Sequence, residues 1–92
     1  MTIAKRLEQY TLRNPKEVLL VTIDLDGEED EVVVFKGFSS SLTRPTDPDP
    51  DIPVIPDGAN ILRIDRVLSP HDPANPRYIQ RDLSLADMEA LL

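Results

Sequence analysis

Ninety-two residues make one domain with a modest core, because chains this short bury only about 60 to 65% of their unfolded surface. With no cysteine, disulfide frameworks and thiolate metal sites are excluded, and the lack of an apolar N-terminal run fits a reducing compartment, the cytoplasm. A net charge of −7 repels polyanions and makes nucleic acid an improbable partner, while the longest apolar runs fall far short of the roughly 20 residues that span a bilayer.

The charge is polarised. Residues 1–16 carry Lys5, Arg6, Arg13 and Lys16 against Glu8, a net of +3; residues 24–31 carry Asp24, Asp26, Glu28, Glu29, Asp30 and Glu31 with no base, a net of −6. Such patterning marks a solvated face and a solvated turn, and it suits a partner with a matching patch better than it suits catalysis.

Thr2 is placed to cap a first helix in which Ile3, Leu7 and Tyr10 recur on one stripe beside Ala4 and Thr11, with Asn14 and Pro15 ending it. Residues 18–26 alternate as a strand. Leu19, Val21, Ile23 and Leu25 share one face; Val18, Leu20, Thr22 and Asp24 share the other, which is apolar enough near its start to need covering by the first helix. Asp26-Gly27 opens a turn and residues 31–38, EVVVFKGF, return as a second strand, giving a hairpin with an acidic tip.

Residues 39–57 form a long connection with five prolines and four aspartates. Structureless links beyond about 12 to 15 residues are either functional or disordered. Because the segment has apolar residues of its own, Leu42, Ile52 and Ile55 are expected to pack on the sheet, with residues 39–46 ordered. Residues 59–68 read as a third strand, with Leu62, Ile64 and Leu68 on one face and Arg63, Asp65 and, less neatly, Val67 on the other. A second proline-rich link, residues 69–76, leads to a short edge strand through Tyr78 and Ile79. Ser84 and Asp87 have capping-box spacing ahead of a two-turn helix whose stripe is Leu85, Met88 and Leu91 or Leu92. The expected fold is α+β: an antiparallel β-meander of three to four strands with N-terminal and C-terminal helices, or alternatively a small bent-sheet barrel.

Few constellations carry chemistry. Asp24, Asp26, Glu28 and Asp30 alternate like calcium ligands, but Gly27 stands at the fourth position rather than the sixth, and apolar strands flank both sides. A solvated hairpin tip accounts for them better. His71 is the only histidine, so no zinc cluster is available, and between Pro70 and Pro73 it belongs in a turn. No cofactor and no metal site is expected. The best binding candidate is Lys36-Gly37-Phe38-Ser39-Ser40 with Arg44, where hydroxyls, backbone amides and two cations stand together; the plain alternative puts Gly37 at a bulge and lets the hydroxyls satisfy loop amides. Tyr78 joins these as a further binding candidate.

The string from Lys36 to Ser40, the Asp-Pro repeats followed by Pro53-Val54-Ile55-Pro56, Ile64-Asp65-Arg66, and Asp72-Pro73 with Pro76 and Tyr78-Ile79 resemble a small family of uncharacterised proteins of cyanobacteria and plant plastids. The resemblance runs over about residues 33–83 and leaves the acidic hairpin tip and first helix outside it. It implies a phototroph setting, with the plastid stroma as the compartment of plant relatives, and supplies no catalytic residue. The sequence therefore favours a non-catalytic binding or assembly module with a protein partner. A small enzyme using His71 or a carboxylate near the loop is the alternative, and a nucleic-acid or transcription-machinery contact through the basic first helix is a third.

Overall fold

A computed structural model of the chain describes residues 2–42, 54–56 and 58–92. Helix α1 (Ile3–Arg13) is followed by strands β1 (Glu17–Leu25), β2 (Glu28–Phe35), β3 (Phe38–Ser41), β4 (Asn60–Leu68) and β5 (Tyr78–Leu83), and helix α2 (Leu85–Glu89) closes the order. The strands form one antiparallel sheet in the order β3-β2-β1-β4-β5. The architecture is the expected α+β, with five strands rather than three or four, and the sheet is open rather than closed into a barrel. β4 does not continue the meander beyond β3; it pairs with the other side of β1, which becomes the central strand.

The caps form where the residues dictate. The Thr2 hydroxyl accepts from the Lys5 amide at 3.2 Å, and Asn14 closes the C-terminus of α1 by donating to the Tyr10 carbonyl. At α2, Ser84 and Asp87 satisfy each other's backbone amides as a capping box. A helix of five residues cannot persist alone in water. α2 is held because Met88 is fully buried in the main core, with Leu85 and Leu92 packed beside it.

That core lies on one face of the sheet. Leu7 and Tyr10 of α1 meet Leu19, Val21, Ile23, Val32, Val34 and Ile64, and Ile55 joins them from the long connection. Each fully buried aliphatic contributes about 1.5 to 3 kcal/mol. α1 thus covers the Leu19 face of β1 rather than the Val18 face that the sequence suggested it would shield. Val18, Leu20 and Val67 form a separate small cluster on the second face with Val33 and Phe35 against it.

Four readings are corrected by the register. The run 31–38 is not one strand: it breaks at Lys36-Gly37, a two-residue turn with φ of 49° and 84°, so Gly37 sits in a hairpin turn and not at a bulge. The acidic stretch is not all solvated turn, because residues 28–31 lie in β2, where Asp30 is buried and accepts from the Ser41 hydroxyl at 2.6 Å. In β4 a register shift opposite Thr22 and Ile23 brings Ile61 against Ile23, which turns Leu62 out to solvent; Val67 is the fully buried residue and Leu68 is exposed. Of the loop residues expected to pack, Ile55 does so, whereas Leu42 is 60% exposed. Ile52 and residues 43–46 lie outside the described residues.

Candidate functional site

The signature residues of β2 and β3 build a hairpin docked on a helix. β2 and β3 are joined by two residues with positive φ at both, the condition for a type I′ turn, which matches the strand twist. Gly37 serves this turn and a close approach as well: its amide donates to the buried Thr11 hydroxyl at 2.9 Å, and a Cβ added there would lie 3.0 Å from the Leu12 side chain. Thr11 in turn donates to the Glu8 carbonyl at 2.7 Å. Ser39 donates to the Glu8 carboxylate at 2.8 Å, and Ser41 to Asp30. Ser39 is therefore engaged in holding α1 to the edge of the sheet.

Ile64-Asp65-Arg66 is similarly structural. Ile64 is core; Asp65 accepts from the amide of Asp82, a residue of β5 with φ of 57°; and Arg66 Nε donates to Glu17 at 2.7 Å. Tyr10 donates its hydroxyl to the same Glu17 oxygen at 2.8 Å. Burial raises the Glu17 carboxyl, yet hydrogen bonds from Arg66 and Tyr10, with the Arg66 charge, outweigh it and hold Glu17 below the usual carboxylate value. Arg66 is raised chiefly by its hydrogen bond to Glu17, and Tyr10 by burial and then by Glu17. This set clamps α1, β1 and β4 together.

The binding candidates separate. Lys36, Phe38, Ser39 and Ser40 lie at the β3 edge, whereas Tyr78 lies on β5 at the opposite edge, its ring beneath the Arg81 guanidinium at 4.3 Å. Arg44 lies outside the described residues. Phe38 is 79% exposed and Ser40 is exposed. Leu12 and Leu42, also largely exposed, flank the same region, Leu12 against Gly37 and Leu42 directly after β3, where its amide donates to the Glu31 carbonyl.

His71, the residue of the alternative enzyme reading, shares a cavity wall with Lys36. The cavity, of about 540 Å³, opens on the second face of the sheet and is lined by Val18, Val33, Phe35, Lys36, Ser69, Pro70 and His71. The Ser69 amide donates to the Lys16 carbonyl at 2.8 Å, and Arg77 returns to the Ser69 carbonyl at 3.2 Å, so the segment after β4 is tied down beside the start of β1. His71 is not itself in the turn that its flanking prolines suggested; it lies in the irregular connection after β4, ahead of a turn at Pro73 and Ala74. Its Nδ1, however, is buried without a hydrogen-bond partner, a state that costs about 1 to 3 kcal/mol when nothing answers the group. The Lys36 ammonium stands 5.2 Å from the centre of the Phe35 ring. Thirty-five residues separate Lys36 from His71 in the chain, which is why no local motif joins them.

A hydrolytic arrangement is not assembled around His71. Asp72 uses Oδ1 to accept from the Ala74 amide at 3.0 Å, closing its own turn rather than orienting the imidazole. Among the described residues no group of three or more acidic or histidine side chains is placed to hold a metal ion, the acidic turn included. On α1, Lys5 pairs with Glu8 at 3.7 Å and Arg6 with Glu89 at 3.8 Å; these exposed contacts contribute little. No helix of the described residues is long and apolar enough to cross a membrane.

No curated protein and no solved structure matches the chain. A family model described as "Domain of unknown function (DUF7734)" matches residues 4–92, so the match takes in the first helix and the acidic hairpin that lay outside the resemblance seen in the sequence, and the chain belongs to that family.

Proposed function

We infer that the protein is a non-catalytic binding module whose contact surface is the β3 edge. One observation carries this reading: the three most exposed large apolar side chains among the described residues, Phe38, Leu42 and Leu12, all stand around β3. That edge strand reads Phe-Ser-Ser-Ser, with neither lysine nor proline within it. Exposed apolar residues along a sheet edge suit strand addition by a protein segment, with backbone hydrogen bonds for affinity and side-chain pockets for choice. The setting we assign it is the cytosol or plastid stroma of a phototroph, on the strength of the resemblance through residues 36–40, 64–66 and 72–79. The enzyme reading is less well supported, because among the described residues no acid orients the imidazole through its Nδ1.

Affinity capture from a cyanobacterial lysate tests the surface, with wild type, Phe38→Ser and Ser40→Pro compared by quantitative mass spectrometry. Proteins enriched by the wild type and lost with both variants are the expected outcome. An identical set captured by all three removes the β3 edge as the contact surface.

A further inference from the structure

The cavity on the second face is walled by the small apolar cluster of Val18, Val33 and Phe35, and that packing does not explain two further lining residues, Lys36 and His71. In type I′ turns the first position needs φ above zero, which favours Asn, Asp or Gly. The chain follows that rule at Asp26-Gly27, with φ of 53° and 85°, and departs from it at Lys36-Gly37, with φ of 49° and 84°. A lysine is not chosen for that backbone. Its position does carry the side chain over Phe35 to the cavity lining, where Lys36 is the one formally charged residue among the described residues. In a chain with a net charge of −7, a cavity whose walls, among the described residues, hold an ammonium and an imidazole and no carboxylate is a local reversal of the overall sign.

The second group arrives independently. His71 comes from the connection after β4, and its buried Nδ1 lacks a partner. A neutral imidazole nitrogen of this kind either donates or accepts one hydrogen bond. Val18, Val33, Phe35 and Pro70 supply the apolar wall, and Ser69 stands beside His71, so the cavity is an open, largely apolar hollow of about 540 Å³ with polar groups from two separate elements, the combination from which small-molecule sites are built.

We propose that this cavity binds a small monocarboxylate with an apolar body, the carboxylate held by the Lys36 ammonium with the His71 imidazole in the same wall and the body lying on Val18, Val33 and Phe35. A single lysine and one neutral donor match one delocalised negative charge better than the dianion of a phosphate ester, which calls for several donors or an Arg fork. The ligand is thereby a small organic acid, aliphatic or aromatic. The proposal goes beyond the binding-module reading, adding a small-molecule site that shares no lining residue with Phe38, Leu42 or Leu12.

Two-dimensional amide and methyl NMR of the full chain tests it with hexanoate and phenylacetate as probes, against hexanamide, phenylacetamide and inorganic phosphate. The two acids are expected to shift Val18, Val33 and the His71 ring nitrogen with dissociation constants of about 1 mM or below. Loss of the charge, in the amides or in Lys36→Asn, is expected to weaken binding by about tenfold or more. Lys36→Asn suits the turn, so it keeps the fold while removing the ammonium; His71→Phe gives a second route, filling the wall and deleting Nδ1. Equal binding of acids and amides, tighter binding of phosphate, shifts elsewhere on the chain, or no shift with either acid would each overturn the proposal. Phe38→Ser is expected to bind the acids normally, because Phe38 is outside the lining. Loss of acid binding in Lys36→Asn alone thus bears on the cavity, and loss of captured protein in Phe38→Ser alone bears on the edge.

Discussion

The two hairpin turns have nearly the same backbone and different chemistry. Asp26-Gly27 and Lys36-Gly37 each link two antiparallel strands through residues at φ near +50° and +85°. The first projects free: nothing lies within 4 Å of a Cβ added at Gly27, and its Asp is a residue the geometry favours. The second is pressed onto α1 through Thr11 and Leu12 and carries a lysine the geometry does not favour. Matched backbones make the first turn a built-in control for the second. What differs between them reports docking and site, not turn formation.

The scale for that comparison comes from a change remote from both turns. Arg66→Met removes the partner of Glu17, leaving a carboxylate in a site where both side chains are less than one-fifth exposed. Breaking a fully buried pair costs about 3 to 5 kcal/mol, and the partial exposure here reduces the expected loss to about 2 to 3 kcal/mol in chemical denaturation. The pH dependence follows from Glu17, whose folded-state value lies below its ordinary one. Its contribution is present above the unfolded carboxylate range, near 4.3, and is lost as pH falls through the folded value. Wild type should lose stability more steeply than Arg66→Met on acidification below about pH 4.5, and parallel curves would show that the clamp does not govern the acid limb. Variants at either turn should keep the wild-type acid limb.

Thr11→Val addresses the docking itself. The substitution is nearly isosteric at a fully buried position and strips the acceptor from the Gly37 amide. An unanswered buried amide costs about 1 to 3 kcal/mol, so thermal unfolding should fall by roughly 10 °C for a domain of this size. The first turn has no counterpart to this contact. An unchanged melting temperature would make the two turns equivalent and dissolve the comparison.

The sequence made one of these turns visible and hid the other for the same physical reason. Asp-Gly between alternating runs is a strong turn signal; Lys-Gly inside EVVVFKGF is not, so β2 and β3 read as one strand. The Thr2 cap, the Leu7 and Tyr10 stripe and the Ser84 capping box were legible because each depends on neighbours within four residues. Leu62 was placed on the apolar face because simple alternation does not foresee the register shift that sets Ile61 against β1, and Asp30 looked solvated because its partner Ser41 lies across a hairpin that was not foreseen. Lys36 was singled out for its charge, yet its companions Val18 and His71 belong to other elements and meet it only in the folded chain.

A glycine pair sharpens the comparison further. Gly27→Ala and Gly37→Ala impose the same left-handed strain, about 1 kcal/mol for a residue with a Cβ. Only the second also meets Leu12, at 3.0 Å. Leu12 is 62% exposed and can move, so the added cost should stay within about 1 kcal/mol. Adding Leu12→Ala to each glycine variant should recover that difference for Gly37 and nothing for Gly27, read as a coupling energy in a double-mutant cycle. Zero coupling at Gly37 would mean that the close approach costs nothing.

The smallest expected effect discriminates most. Lys36→Asn places at the second turn the residue type its backbone favours, relieving a fraction of the strain of a lysine at φ 49°. Against that gain stands the loss of the ammonium over the Phe35 ring at 5.2 Å, worth about 0.5 to 1 kcal/mol at an exposed site. The two nearly cancel, with the turn preference slightly ahead, and a net stabilisation of a few tenths of a kcal/mol is expected, a rise of about 1 to 3 °C in melting temperature. The companion change Asp26→Lys puts the unfavoured residue into the free turn, where no aromatic ring precedes it because Leu25 does, and should cost about 0.5 to 1 kcal/mol without altering acid binding. If lysine belongs at position 36 for the sake of the fold, Lys36→Asn will be clearly destabilising, and its stack on Phe35 will account for it. If it belongs there for the cavity, the variant will be as stable as wild type and deficient only in holding an anion, and stability and binding will part company at this one turn.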